Sequence, residues 1–228
     1  MKNIEERFKV TYDQFVEKNP EFILSSYSKA KIEDWQGIYD KFFKIGSIWI
    51  QEPSRCSLFL SGPSGTGKTH FSHCLLRGIF NIERQIVPMM ITSKDLDDAF
   101  LKSTMSESDQ DSRKITSRAP KESVLFIDDL GSHRCTERSW RDFMELIDKR
   151  NRNDLITVIS SNYRVEELYN QWIVKKSGEQ EDDIMAKRIE SRMSSSFIEL
   201  DFTPVQDMRM KTAKTGKSKF VDMIKSLS

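Results

Sequence analysis

Short apolar runs alternate with longer amphipathic stretches between about residue 55 and residue 200. An apolar run of this length, bounded by polar residues, is typical of a strand that is buried on both faces. Five such strands are predicted, at 57–60, 86–91, 124–127, 155–160 and 197–200. Helical periodicity marks the stretches between them, at 68–79, 94–103, 137–150, 164–174 and 183–193. The alternation predicts an α/β fold with a parallel five-stranded sheet and helices on both of its faces.

Two amphipathic segments precede this alternation. The first covers residues 3–18 and ends at Asn19–Pro20, and its apolar positions are Ile4, Phe8, Tyr12 and Phe15. The second carries an apolar stripe from Trp35 to Phe43 and is predicted to end near Gly46. The apolar face of the first helix either packs on the core or docks on another protein, and the sequence leaves both possibilities open.

Composition excludes several classes of protein. The chain has 36 Lys and Arg against 35 Asp and Glu, so no global field directs it to nucleic acid or to a membrane surface. Its apolar runs are far shorter than the roughly 20 residues that span a bilayer. Cys56, Cys74 and Cys135 are too few and too far apart for a disulfide framework or a CxxC zinc site. We therefore expect a cytoplasmic protein with no membrane partner.

The first predicted strand leads into the sequence GPSGTGKT, which matches the phosphate-loop pattern G-x-x-x-x-G-K-[ST] and opens a predicted helix. The backbone N–H groups of such a loop surround phosphate, and the helix N-terminus adds partial positive charge. Lys68 is predicted to reach the β- and γ-phosphates, and the Thr69 hydroxyl to bind Mg²⁺. The predicted nucleotide-binding residues of the loop are Gly62, Pro63, Ser64, Gly65, Thr66, Gly67, Lys68 and Thr69.

Polar side chains follow two later strands. The strand at 124–127 ends in Asp128 and Asp129, and we assign Asp128 to Mg²⁺ and Asp129 to the attacking water. The strand at 155–160 is followed by Asn162, whose neutral amide can hold that water or the γ-phosphate. Asn162 could instead cap the helix that begins near Arg164.

Arg188 and Arg192 are four residues apart on a predicted helix and therefore project from the same face. An arginine in this position can stabilise the charge that develops on a transferred phosphate, and a second subunit can supply it. The spacing is equally consistent with a solvated basic stripe paired with acidic neighbours.

Four stretches together resemble the AAA+ ATPases, and among them the initiator and helicase-loader branch of DnaC, DnaI and IstB-like proteins. They are GTGKTH at 65–70, FIDDLG at 126–131, SSN at 160–162 and RIESRM at 188–193. The resemblance covers about residues 30–210 and implies a P-loop NTPase that uses ATP and Mg²⁺. It also implies that His70 belongs to the nucleotide site and that Asn162 takes the sensor-I role.

The same resemblance assigns roles to three arginines. Arg192 is the expected arginine finger acting on a neighbour's ATP, Arg188 is the fallback, and Arg209 of the Asp-x-Arg at 207–209 is the expected second sensor. Two departures from the family are the short chain after Arg209, which implies little or no C-terminal lid, and the acidic insert at 178–183. We divide the chain into a helical partner-binding extension (1–30), an ATPase domain (31–210) and a basic tail (211–228).

The long connection at 93–121 resembles the region where initiator proteins carry an extra helix along a single-stranded DNA path. Its candidate DNA contacts are Lys102, Arg113, Lys114 and Arg118. Acidic residues are interspersed among these cations, so a solvated loop without any DNA contact is the competing interpretation.

The function that the resemblance implies is an ATP-dependent loader of a hexameric, DnaB-like replicative helicase. Such a loader would bind the helicase through its N-terminal region, bind single-stranded DNA, and self-associate, with slow hydrolysis stimulated by assembly. Three alternatives remain: an IstB-like regulator of transposition on duplex DNA, a small-molecule kinase, and a nucleotide-gated binding protein without useful hydrolysis.

Overall fold

The computed structural model describes residues 12–18, 29–52, 56–82, 88–105, 109–133, 136–172 and 190–207. One parallel sheet runs through the described part of the chain, in the order β2-β3-β4-β1-β5. Its strands are β1 (Ser57–Ser61), β2 (Pro88–Thr92), β3 (Val124–Leu130), β4 (Ile156–Ser161) and β5 (Phe197–Asp201). The predicted fold class is confirmed.

Of the helical elements in the described part of the chain, three precede β1 and the others lie between strands, as the periodicity predicts for all of the latter except the helix at 110–118. Within the described ranges the helices are α1 (Tyr12–Lys18), a 3-10 helix (Ile32–Trp35), α2 (Asp40–Gln51), α3 (Lys68–Ile82), α4 (Ser93–Met105), α5 (Gln110–Arg118), α6 (Glu137–Arg152) and α7 (Val165–Trp172). Residues 190–196 are also helical and lead into β5. Residues 183–189 of the predicted last helix lie outside the described residues.

One predicted helix end is wrong. Helix α2 continues through Gly46, where the sequence predicts a stop. A Cβ at this position would lie 2.4 Å from the Ile32 side chain and 3.1 Å from Phe71. Gly46 therefore serves close packing of α2 against its neighbours, which compensates for the roughly 1 kcal/mol that glycine costs in a helix.

The sheet separates two apolar layers because successive side chains of a strand point to opposite faces. Phe59, Ile127 and Ile159 contact the layer that contains α4, α6 and α7. Leu58, Phe126 and Val158 contact the other layer, which contains α1, the 3-10 helix, α2 and α3. Both faces of the sheet are covered, so its strands are apolar throughout.

The strand order brings together the carboxyl ends of β1, β3 and β4. Strand β1 is hydrogen-bonded to β4, and β4 to β3, although β1 and β3 are far apart in sequence. A parallel sheet has a crevice at the carboxyl ends of its strands where the strand order reverses. The phosphate loop after β1, the two acids of β3 and Asn162 after β4 consequently meet at one edge of the sheet.

Helix α1 packs on the core. Tyr12 and Val16 are buried, and the Tyr12 ring meets Phe80 of α3 edge to face at 5.6 Å. Arg77 lies 5.2 Å over the Tyr12 ring and forms an ion pair with Asp13 at 3.4 Å. This part of the first helix therefore takes the packing alternative. Ile4, Phe8 and the Phe15 side chain lie outside the described residues.

Candidate functional site

The loop between β1 and α3 has the backbone shape that its glycines permit. Gly62, Gly65 and Gly67 have φ angles of 140°, 87° and 88°. A Cβ at Gly65 would also lie 2.4 Å from the Asp207 carboxylate, so this position requires glycine for two reasons. The Thr66 hydroxyl donates to the Pro63 carbonyl oxygen at 2.8 Å and closes the loop.

Lys68 links the loop to β4. Its Nζ donates to the carbonyl oxygens of Gly62 at 2.6 Å and Pro63 at 2.9 Å. It also donates to Asn162 Oδ1 at 3.0 Å. The side chain is buried, with 7% of its surface exposed, and the ammonium is held at the mouth of the loop where phosphate charge would stabilise it.

Thr69 and Asp128 form an oxygen cluster. The Thr69 hydroxyl donates to the Asp128 carboxylate, at 3.0 Å from Oδ1 and 3.1 Å from Oδ2. Hydroxyl and carboxylate oxygens are the hard ligands that Mg²⁺ prefers, together with water and phosphate oxygens. The donor set therefore fits a magnesium ion held between Thr69, Asp128 and a bound nucleotide.

Ser160 holds both acids of β3, a role that the sequence reasoning missed. Its hydroxyl donates to Asp128 Oδ1 at 2.5 Å and accepts from the Asp129 backbone N–H at 2.9 Å. Burial raises the pKa of Asp128, and the hydrogen bonds from Ser160 and Thr69 partly oppose that rise. The available signal was a polar residue at the end of an otherwise apolar strand.

Asp129 lies at an irregularity within β3. Its φ is 59°, and the pairing of β3 with β4 shifts between Ile127 and Leu130. A bulge of this kind re-aims a side chain and is common beside active sites. The half-buried Asp129 carboxylate accepts from Asn162 Nδ2 at 3.3 Å, and the Ser93 hydroxyl donates to the Asp129 carbonyl at 2.9 Å.

The bonds of Asn162 favour the site over the cap. Its amide accepts from Lys68 and donates to Asp129, so it joins the phosphate loop to the two-acid strand. At the start of α7 the Arg164 backbone N–H donates to Glu167 Oε2 at 3.0 Å. This is the bond from an N-cap backbone N–H to the third helical residue that occurs in a capping box, and Asn162 takes no part in it.

His70 faces away from the oxygen cluster. Its Nε2 lies 3.2 Å from Asp34 Oδ2, and its Nδ1 lies 3.6 Å from Cys74 Sγ. Burial lowers the pKa of His70, against the opposing effect of Asp34. The predicted nucleotide-site residue His70 thus contacts the 3-10 helix and the next turn of α3.

Of the predicted arginines, Arg192 lies in the described segment 190–196. Its side chain is 54% exposed and forms an ion pair with Asp148 Oδ2 of α6 at 2.9 Å. Arg188, Arg209 and the acidic insert at 178–183 lie outside the described residues. Asp207, the last of the described residues, lies against Gly65 of the phosphate loop.

The connection after β2 is built mainly of helices. Helix α5 begins at the Asp109 N-cap, which accepts from the Ser112 backbone N–H at 3.1 Å, and it packs on α4. Lys102, Arg113 and Lys114 are exposed on this pair of helices. Arg118, the fourth candidate DNA contact, is ion-paired with Glu122 and half-buried.

The phosphate loop, the Thr69–Asp128 cluster and Asn162, gathered at the carboxyl edge of a parallel sheet, define a P-loop nucleotide-binding protein. The model of the AAA family, described as "ATPase family associated with various cellular activities (AAA)", matches residues 58–180. This is more than half of the chain, and the protein belongs to that family.

Solved structures with the same fold include DnaI, a DnaC helicase loader and a replication initiator. A structure of DnaI is 20% identical, with a TM-score of 0.64, over 79% of this chain and 94% of that one. A DnaC helicase loader is 20% identical, with a TM-score of 0.59, over 79% and 99%. The replication initiator DnaA, bound to AMPPCP and single-stranded DNA, is 14% identical, with a TM-score of 0.58, over 84% and 55%.

These likenesses are of fold, because the identities are low. No curated protein matches the chain significantly in sequence. Among the described residues, none of the helices combines the length and apolarity that a membrane span requires.

Proposed function

We propose that this protein is an ATP-dependent helicase loader or helicase modulator, which binds single-stranded DNA and assembles with copies of itself. The fold is shared with DnaI and with a DnaC helicase loader, and the loader-type motifs at 126–131 and 160–162 lie together at the site. The observation that carries the ATPase part of the proposal is the direct link from Lys68 through Asn162 to Asp129. That link connects the phosphate position to the position of an attacking water.

Each residue of this link has a distinct task. Lys68 neutralises phosphate charge, and Thr69 with Asp128 would hold Mg²⁺, which supplies charge stabilisation to the transferred phosphoryl group. Asp129 and Asn162 orient the water on the other side of the γ-phosphate. The phosphates of ATP fit this site because a glycine-rich loop and the N-terminus of helix α3 present N–H groups to phosphate, and the choice of ATP follows the family.

Arg192 completes a neighbour's site in the proposed assembly. A residue that acts in trans must lie at the surface, and Arg192 is more than half exposed. Its partner Asp148 holds the guanidinium on its own subunit, and an exposed ion pair of this kind is weak enough to exchange for phosphate. Hydrolysis is therefore slow in the separate chain and increases on assembly.

The α4–α5 pair is the proposed DNA contact. Lys102, Arg113 and Lys114 are exposed there, whereas the ion pair with Glu122 already engages Arg118. Binding to the DNA backbone should weaken steeply with salt. Arg113→Glu with Lys114→Glu should lower the salt slope by about 1.4, at roughly 0.7 per contact on single strands, in an anisotropy titration.

Lys41→Glu with Lys44→Glu is the matched control, because it makes the same charge change on α2, which packs on the other face of the sheet. Equal losses of affinity in both double variants would show a nonspecific charge effect. An unchanged affinity in the Arg113 and Lys114 variant would remove the α5 contact.

The test of the loader function is native mass spectrometry of the protein mixed with its own organism's replicative helicase, in Mg-ATP and in Mg-ADP. A stoichiometric complex that depends on nucleotide and is lost in Lys68→Ala supports the proposal. Self-assembly on duplex DNA with ATP, without a helicase complex, would favour the transposition-type function. Complex formation without any turnover, with DNA present, would leave a nucleotide-gated binding protein.

A further inference from the structure

We propose that Asp34, His70 and Cys74 form a second metal site, for a thiophilic transition-metal ion of the Zn²⁺ type. One donor atom from each residue lies within 4.8 Å of the other two. The three donors are a carboxylate oxygen, an imidazole nitrogen and a sulfur. This site is separate from the oxygen cluster of Thr69 and Asp128 and is independent of the proposed function.

Local structure brings the three donors together. His70 and Cys74 are one turn apart on α3, so both side chains project from the same face of that helix. Asp34 comes from the 3-10 helix, where its carboxylate accepts from the Lys31 backbone N–H at 2.9 Å. Trp35 is fully buried beside them, with its ring 6.1 Å from the His70 ring and 5.3 Å from Phe71. This packing fixes the 3-10 helix against α3.

The donors are close enough for one ion after a local side-chain change. A tetrahedral ion with bonds of about 2.0–2.3 Å needs donors roughly 3.3–3.7 Å apart. Asp34 lies 3.2 Å from His70 Nε2, and Cys74 Sγ lies 3.6 Å from His70 Nδ1. An ion bound to Nδ1, beside Cys74, requires Asp34 to leave Nε2, and the Asp34 side chain is 46% exposed and can change its rotamer.

The donor set selects the class of metal. A sulfur ligand disfavours Mg²⁺ and Ca²⁺, whereas a mixed sulfur, nitrogen and oxygen set is typical of Zn²⁺. The Cys74 thiol donates to the Lys31 carbonyl at 3.0 Å. Metal binding would replace that S–H bond by a sulfur–metal bond and release the proton to water, without any change of oxidation state.

A surface groove lies beside Cys74, which is itself buried. The groove has a volume of about 470 Å³, and Glu33, Cys74 and Arg77 are among the residues that line it. Water from the groove would supply the fourth ligand, as it does at open zinc sites with three protein ligands. An ion bound here would tie the 3-10 helix to the first turns of α3, directly after the phosphate loop.

Cobalt absorption tests the site without relying on activity. The metal-depleted full chain would be titrated with Co²⁺ in excess Mg²⁺, without nucleotide and with a reductant that is not a thiol. We expect one equivalent per chain with a thiolate-to-cobalt charge-transfer band, which Zn²⁺ displaces. Cys74→Ser should lose the band, and Cys56→Ser, which alters an exposed cysteine outside the cluster, should keep it.

Two results would overturn the site. The first is the absence of a charge-transfer band in the wild type, and the second is a band that persists in Cys74→Ser. Should Cys74→Ser fail to fold by circular dichroism, Asp34→Asn provides the decision. It should keep the band and weaken Co²⁺ binding roughly 10-fold or more, and an unchanged affinity would refute the ligand set.

Discussion

Charged side chains are buried at both ends of the parallel sheet, and the partners that surround them differ. At the amino end, Arg150 of α6 is fully buried. It donates to Thr157 Oγ1 at 2.9 Å and to the carbonyl oxygens of Ala119 at 2.7 Å, Glu122 at 2.9 Å and Ile156 at 2.5 Å. One guanidinium thus joins α6, the start of β4 and the segment before β3.

At the carboxyl end, the buried charges are close to one another. Lys68, Asp128 and Asp129 lie around the phosphate loop, and Ser160 and Asn162 connect them. The backbone there departs from ideal geometry, with a bulge and a residue at φ 59°. Arg150 satisfies neutral carbonyls and serves the fold, whereas the carboxyl-end charges retain capacity for a ligand. Burial of a charge therefore does not by itself indicate a functional site, and the partners of the charge have to be considered as well.

The largest expected effect on folding is at Arg150. Arg150→Met should reduce the free energy of unfolding by about 3 kcal/mol, because it leaves several buried carbonyl oxygens without a donor. Urea denaturation measures the loss. Arg152→Met, which changes an exposed arginine of the same helix, is the control and should fall within about 0.5 kcal/mol of the wild type. Equal stability of Arg150→Met and Arg152→Met would contradict a structural role for Arg150.

Lys68→Ala should show the opposite profile. Affinity for a fluorescent ATP analogue in Mg²⁺ should fall about 100-fold or more, because a charge-assisted contact to phosphate is lost at a partly desolvated site. The free energy of unfolding should change little, because the variant loses the hydrogen bonds of the ammonium together with the cost of burying its charge. Lys41→Ala on α2 controls for net charge. If Lys68→Ala lost as much stability as is expected for Arg150→Met, the distinction between a structural charge at the amino end of the sheet and a ligand-binding charge at its carboxyl end would fail.

The contribution of Asp128 to stability should depend on pH. The raised pKa of this carboxyl means that the folded chain binds this proton more tightly than the unfolded chain does. The contribution of Asp128 to stability therefore falls as pH rises from the ordinary carboxyl pKa through the raised one. Asp128→Asn should lack this fall and be more stable than the wild type at neutral pH without Mg²⁺ or nucleotide.

Urea titrations at several pH values measure that difference. Asp128→Asn should also lose the effect of Mg²⁺ on ATP binding, which the wild type should show. The free energy of unfolding of the wild type minus that of Asp128→Asn should decrease as pH rises. If it does not, the Asp128 carboxylate does not destabilise the fold in the absence of a ligand.

The smallest effect is expected at the surface pair. Asp148→Ala breaks the ion pair with Arg192, and an exposed pair of this kind contributes between 0 and about 1 kcal/mol. Stability should be nearly unchanged, while assembly-stimulated ATP turnover should be retained or increased because Arg192 is released. A loss of turnover equal to that of Arg192→Ala would show that Asp148 itself takes part in the neighbour's site.

The sequence predicts the parts of this structure that depend on local pattern. The strands, the α/β class and the meeting of the phosphate loop with Asp128, Asp129 and Asn162 follow from apolar runs and from the rule for parallel sheets. The end predicted for α2 at Gly46 is wrong because close packing with Ile32 determines that glycine. Local propensity gives no information about such a distant neighbour.

Contacts between distant segments account for the remaining gaps. Ser160 is one of two serines at the end of β4, and its bonds to Asp128 and Asp129 depend on the register of β3 with β4. The partners of Arg192, Arg150 and Asp34 likewise come from other elements. A single sequence offers no spacing that predicts them.

Subunit mixing tests the central claim of an ATP site completed by a neighbour. Lys68→Ala supplies Arg192 and lacks its own nucleotide site, whereas Arg192→Ala keeps the site and lacks the arginine. Each variant alone should bind DNA and show no stimulated hydrolysis. An equal mixture should restore turnover at about a quarter of the interfaces, the fraction expected from random assembly. Wild-type turnover by Arg192→Ala alone, or an inactive mixture that assembles normally on DNA, would contradict the account.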